Sequence, residues 1–266
     1  MSKSEIDASE APLIEHLVEL RTRLMWCVAG FILAFIVSFF FSTDILHYLV
    51  LPFKWGTGED VSLISIKLLG VFLVKLKIAM FGGMFIGFPL MATQLYKFVA
   101  PGLYSHEKQA FLPYLIATPL FFLLGAALVY FFLLPVAIHF FYNLAAGTGT
   151  DGHQGIQLMP DIEAYLDFVM MLILAFGLCF QLPVILTLLG QIGILTYDQL
   201  KNGRKFAIVG VFVVAAVLTP PDPISQISMA VPLILLYEVS VQAVRFIDFR
   251  RKRKQAAEDA KEAAEA

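Results

Sequence analysis

Two groups of charged and aromatic residues have types and spacings suited to recognition. The first, residues 13–24 (LIEHLVELRTRL), carries Glu15, Glu19, Arg21 and Arg23. The second, residues 93–108 (TQLYKFVAPGLYSHEK), leaves very apolar sequence around Phe98 and breaks at Pro101-Gly102. It then presents Tyr104, His106, Glu107 and Lys108 before apolar sequence resumes at Phe111. Two acids with a neighbouring aromatic suit a cationic peptide, above all one offering guanidinium groups, because a guanidinium meets a carboxylate through two parallel hydrogen bonds. On composition alone, solvated loop charges and local ion pairs account for the same residues more simply. Other chemistry is poorly supplied. No HExxH, GxSxG or P-loop signature occurs. His16, His47, His106, His139 and His153 are scattered, and no pair has metal-ligand spacing within one helix. Cys27 and Cys179 each lie in apolar sequence and read as small apolar residues. Neither an enzyme activity nor a cofactor or metal is expected.

The elements that must position these residues are membrane helices. The chain is 59% apolar and only 15% charged, whereas soluble domains are about half apolar and about a quarter charged. The excess falls in blocks of about 15 to 30 residues, the length of a transmembrane helix. Six spans are expected, at about 25–41, 78–99, 112–142, 162–190, 206–218 and 224–246. Leu13, Leu17, Leu20 and Leu24 form a helical stripe ahead of the first span, and Glu19 can pair with Arg23 four residues on. This reads as an amphipathic surface helix, with Pro12 suited to its first turn. No cleavable leader is expected, since 1–24 is mixed and acidic. Residues 44–70 read as a mildly polar loop with short interfacial helices, Pro52 among them, and Tyr48 and Trp55 fit an aromatic belt. A kink is expected at Pro89, and the long third span, which contains Pro119 and Pro135 and exceeds a bilayer core, must tilt, kink or project into water. The fifth span is only about 13 residues, about 20 Å of helix, before the turn Thr219-Pro220-Pro221-Asp222-Pro223. A short helical hairpin is favoured there, with a re-entrant loop as the alternative. Residues 1–249 read as one six-span membrane domain, and 250–266 as a basic cluster with a mobile or weakly helical Ala/Glu-rich tail.

Most Lys and Arg fall on one side, Lys3, Arg21, Arg23, Lys97, Lys108, Lys201, Arg204, Lys205 and Arg250 to Lys254, against Lys54, Lys67, Lys75 and Lys77 in the first loop of the other and none between Asn143 and Ile162. The positive-inside rule then puts both termini, Phe98 and Glu107 in the cytoplasm. The basic run Arg250 to Lys254 suits anionic lipid rather than nucleic acid. Several polar residues lie at membrane depth. Gln181, two residues before Pro183, reads as facing a bundle interior, whether for function or for a structural hydrogen bond. Thr219 and Gln226 border the short hairpin, where they could contact another membrane helix or satisfy backbone groups freed by the prolines. Glu238 could pair with a basic residue near the cytoplasmic surface.

Four stretches, HLVELRTRL (16–24), KFVAPGLYSHEK (97–108), FGLCFQLPV (176–184) and LTPPDPISQ (218–226), together resemble the TatC family. TatC is the multispanning component of the twin-arginine protein translocase. The resemblance runs over about residues 12 to 246, in order. It implies an all-α integral membrane fold with six helices in a concave bundle, in the bacterial cytoplasmic (inner) membrane. It also implies binding of the twin-arginine signal peptides of folded cargo, action with TatB and TatA, self-association in a receptor complex, and use of the proton-motive force. The signal-recognition positions of the family match Glu19, Arg21, Phe98 and Glu107. Pro52 matches a proline of the first periplasmic loop, and Thr219 and Gln226 match a partner-helix contact, with Ala216 where some relatives carry a larger side chain. Two positions depart from the family. Gln181 stands where relatives often carry Glu and cannot ionise, and Glu107 is followed by Lys108-Gln109 rather than consecutive arginines. The rival reading is a secondary transporter for a small cationic solute, which calls for inverted repeats that the sequence lacks. A membrane-embedded hydrolase is a third, lacking a nucleophile and base.

Overall fold

The computed structural model describes residues 3–58, 63–99, 108–146, 160–218 and 223–265. Among them the only β pairing is an isolated bridge between Ile64 and Asp161. The helices are α1 (Lys3–Phe40), α2 (Ser42–Thr57), α3 (Gly70–Val99), α4 (Lys108–Leu128), α5 (Leu134–Ala146), α6 (Ile162–Cys179), α7 (Leu182–Gln191), α8 (Tyr197–Leu218) and α9 (Pro223–Glu265). Among the described residues five stretches are long and apolar enough to cross a membrane: His16–Phe40, Gly70–Phe98, Pro113–Leu144, Ile162–Gln191 and Gln226–Arg253. Many large apolar side chains are exposed, such as Leu33, Phe40, Phe206 and Val217. In water such surfaces would associate; they belong against lipid.

The helix boundaries differ from the sequence expectations for identifiable reasons. The expected surface helix and first span are one continuous helix, α1; nothing between Leu13 and Phe40 breaks it, and the Leu stripe simply runs on into apolar sequence. The short helix expected in the loop after 44 is α2, which begins at Ser42 and holds Pro52 inside it. The third span is continuous through a π-helical turn at Val129–Leu133, where the Leu134 N–H bonds Val129 O. Pro135 has no N–H to give, and the wider turn lets the chain continue rather than break. The fourth span is interrupted: Gln181 N–H bonds Leu178 O, and α7 starts beyond it with Pro183 in its first turn. The last two spans were expected to be short; the helices that carry them extend beyond the apolar stretches, α8 to 22 residues because helix begins at Tyr197 in polar sequence, and α9 to 43.

The chain divides into two compact units, one of residues 1–51, 63–119 and 161–166, the other of 52–62, 120–160 and 167–266. In the first, α1 and α3 pack antiparallel. Gly30 meets Leu90, Gly83 meets Phe31 and Phe35, and Gly82 meets Ser38. A Cβ on Gly82 would lie 2.5 Å from Ser38 Oγ, so glycine there permits the close approach that membrane helices use in place of a hydrophobic driving force. The start of α6 is tied to this unit by the Ile162 N–H to Ile64 O bond at 2.9 Å and by the buried Tyr165 hydroxyl donating to Leu49 O at 2.9 Å. In the second unit, Gly125 and Gly177 let α4 and α6 touch through Phe176, Phe180 and Phe122. Trp55 packs edge-on to Tyr130 and stacks on Phe131, in the π turn. Leu200, Val241 and Val244 form a buried cluster where α8 meets α9.

Candidate functional site: the start of α1 against the end of α3

The antiparallel register of α1 and α3 brings the beginning of one helix to the end of the other. His16, Glu19 and Arg23, spaced three and four apart, share a helix face. The His16 ring stacks on Phe98, centroids 4.3 Å apart. Glu19 Oε1 accepts from Arg23 Nη2 at 3.2 Å, the pair expected from the sequence. Arg23 Nη1 also donates to Gln94 Oε1 on α3 at 3.3 Å, and its Nε has no partner. Glu19 and Arg23 remain about one-third exposed, at 30% and 32%. The result is a surface with a carboxylate and an aromatic ring on neighbouring helices, the carboxylate already holding one guanidinium. Chemically it is suited to exchanging that guanidinium for another.

Arg21 is not part of this surface. Two residues from Glu19, it lies on the other flank of α1, exposed in a shallow groove with Val18, Met25 and Trp26. Glu107 and Thr219 lie outside the described residues. Pro52 is buried in α2. Gln181 is buried at the α6–α7 break, 7% exposed. Gln226 Nε2 donates to Phe212 O of α8 at 3.3 Å, and Ala216 is exposed. Glu238 finds its basic partner: Arg204 Nη2 donates to its Oε1 at 2.6 Å, and Gln242 Nε2 to the same oxygen at 2.9 Å.

His16 and Gln94 were missed in the sequence; the signal for His16 was its spacing to Glu19 and Arg23. A second polar cluster was missed as well. Glu163, in the first turn of α6, accepts from Lys67 Nζ and Lys77 Nζ, both at 2.9 Å. Lys77 and Phe98 stand 21 residues apart on α3, about 32 Å of helix, which matches a bilayer core of about 30 Å. The two polar clusters of this unit are therefore separated by about the thickness of a bilayer core.

The family model described as TatC, Sec-independent protein translocase protein, matches residues 15–232. The chain belongs to the TatC family. A Sec-independent protein translocase protein TatC of Magnetococcus marinus is 41% identical over 256 residues, 96% of this chain and 92% of the relative. That of Escherichia coli K12 is 36% identical over 235 residues, 88% of each. A solved structure, a crystal structure of the twin arginine translocase receptor TatC, superposes with a TM-score of 0.76 at 34% identity, covering 88% of this chain and 99% of that one. As a TatC-family member the chain is a protein translocase component of the inner membrane and not an enzyme.

Proposed function

We propose that this TatC-family chain is the receptor core of the twin-arginine translocase, binding twin-arginine signal peptides of folded proteins on its cytoplasmic face. Six spans, with α8 as the fifth, leave both termini in the cytoplasm, as the Lys and Arg placement requires. Glu19 and Glu107 pair with the signal's arginines, and Phe98 contacts an apolar neighbour. Arg21 flanks the site, Gln181 borders the path of the signal's apolar stretch, and Pro52 shapes the opposite face. Thr219 and Gln226 contact a TatA or TatB helix. The chain self-associates, binds anionic lipid through Arg250 to Lys254, and moves cargo with TatB and TatA at the expense of the proton-motive force.

The observation that carries this reading is that the α1 face bearing His16, Glu19 and Arg23 meets the end of α3, His16 stacking on Phe98 and Arg23 holding the Glu19 carboxylate that a signal arginine would take over. The test is photocrosslinking from probes at positions 98 and 226, with export of a folded reporter by the Glu107→Gln variant. A twin-arginine peptide is expected at 98, a partner helix at 226, and export nearly abolished. Undiminished export by Glu107→Gln removes the acid from the assignment.

A further inference from the structure

Where α8 begins and α9 leaves its apolar stretch, the second unit has an open-sided cavity of about 480 Å³. Its volume falls within the range of small-ligand sites, about 300–1,000 Å³. Tyr197, Asp198, Arg245, Phe246, Asp248 and Lys252 contribute to its walls. The Asp248 Oδ2 accepts the Tyr197 backbone N–H at 2.8 Å, and the Arg245 guanidinium lies 5.6 Å from the Tyr197 ring centre. Among the described residues, Asp198, Arg245 and Lys252 form no ion pair. Just outside, the Arg250 and Arg253 guanidiniums lie over the Phe246 and Phe249 rings, at 4.3 and 5.5 Å.

The cavity sits at the edge of the membrane. Upstream on α9 the sequence is apolar from Ile227 to Leu236; from Arg245 onward basic and aromatic residues mix, which is the composition of the headgroup layer. Phe246 and Phe249 are both more than half exposed, positioned to meet acyl chains while the long basic side chains reach the polar layer. The lining charges separate this cavity from the basic run beside it. Two bases are matched by two acids, one of them the unpaired Asp198. A purely anionic headgroup would find attraction at Arg245 and Lys252 but repulsion at Asp198 and Asp248. A headgroup carrying both a phosphate and an ammonium satisfies both sets. An ammonium with N–H donors gains charge-assisted hydrogen bonds to carboxylate, which a quaternary choline cannot make.

We propose that this cavity is a headgroup site for a zwitterionic aminophospholipid. Its phosphate lies on Arg245 and Lys252, its ammonium lies on Asp198, and its acyl chains run along the Phe246 and Phe249 face. The site is independent of the signal-peptide reading, whose residues Glu19 and Phe98 are in the other unit.

The test is native mass spectrometry of the detergent-purified full chain, offered equal amounts of phosphatidylethanolamine, phosphatidylglycerol and phosphatidylcholine with identical acyl chains. One phosphatidylethanolamine should be retained about tenfold over phosphatidylcholine, the size of one lost charge-assisted contact. Asp198→Asn and Arg245→Gln should each lower that retention by a similar factor, and Asp198→Asn should not lower the phosphatidylglycerol adducts. Asp198 is exposed, so its isosteric variant leaves the fold intact, and the competition on the unaltered chain needs no variant. Preferred retention of phosphatidylglycerol at one site overturns the proposal, as do equal retention of the ethanolamine and choline lipids or ethanolamine retention untouched by both substitutions. Signal-peptide binding by the same preparation is read separately: lipid selectivity without signal binding refutes the receptor reading and leaves the cavity assignment standing, and the converse refutes the cavity alone.

Discussion

Glu19→Gln and Arg23→Gln remove the two halves of one ion pair, yet they should act on signal-peptide binding very differently. The Glu19–Arg23 pair is an i,i+4 pair at 3.2 Å with both side chains about one-third exposed. Such a pair contributes about 0.3–0.5 kcal/mol, a factor of about two in an equilibrium. An arriving guanidinium must displace Arg23 from the carboxylate, so the pair weakens binding by at most that factor. Arg23→Gln frees Glu19 and should leave affinity unchanged or raise it about twofold. Glu19→Gln instead removes a charged acceptor from the complex. A hydrogen bond to a charged group contributes about 1.5–3 kcal/mol, and partial exposure puts the low end in force, a loss of about tenfold. The assay is fluorescence anisotropy of a labelled twin-arginine peptide with the purified chain at fixed low salt, because screening shrinks exposed electrostatics. Equal losses in the two variants would refute the reasoning: Glu19 would then act by bracing α1 against α3 through Arg23 and Gln94, not by meeting the peptide.

Two further outcomes follow from packing and from a buried hydrogen bond. Gly177→Leu puts a Cβ 2.6 Å from Phe122 Cε2, a ring with 2% exposure. Overpacking of this kind costs about 1–3 kcal/mol, and the apparent Tm of the detergent-solubilised chain should fall; an unchanged Tm would mean that α4 and α6 do not approach so closely. Tyr165→Phe removes the buried hydroxyl donor to Leu49 O and should destabilise by about 1 kcal/mol in the same melts, whereas a more stable variant would mean that the carbonyl has another partner.

Much of this architecture was legible because a bilayer imposes length and composition on its helices. What stayed hidden depended on which groups meet across helices. Pro135 and Pro183 both lie in long apolar runs, and the sequence predicts an unbroken fourth span across Pro183. The outcomes differ: at Pro135 a π turn absorbs the missing donor and the helix continues, while ahead of Pro183 the chain turns through Gln181 and starts a new helix. The length of α8 was underestimated because counting apolar residues finds the membrane-compatible part and not the helix, and Tyr197 to Lys205 is helical in spite of its polarity. The Glu19–Arg23 pair was readable since both partners lie on one helix. Gln94 was not, because its contact with Arg23 spans 71 residues and depends on the register of α1 against α3. Asp161 and Glu163 at the start of α6 favour its dipole, but nothing local indicates that Glu163 binds Lys67 and Lys77.

The placement of charge also explains why recognition would sit at helix ends. An ionised side chain at bilayer depth is costly, and in the first unit the ion pairs fall near the two ends of α3, Glu19 with Arg23, which also bonds Gln94, at one and Lys77 with Glu163 at the other. A rigid helix pair locked by close-packed glycines can hold such ends in fixed register while its outer face remains apolar for lipid. A peptide read by its guanidiniums must therefore be met at one of these ends, where a carboxylate can stay ionised and partly wet. At the buried α6–α7 break the chain carries Gln181, which hydrogen-bonds without a charge to desolvate. Gln181→Glu separates the two demands. If the site tolerates an ion, the variant should fold and transport a twin-arginine reporter as well as the unaltered chain. If the site requires neutrality, its apparent Tm should fall as the pH rises and the carboxyl ionises. A Tm independent of pH together with lost transport would contradict both, and would mean that the residue's amide donor, not its charge state, is what the translocase uses.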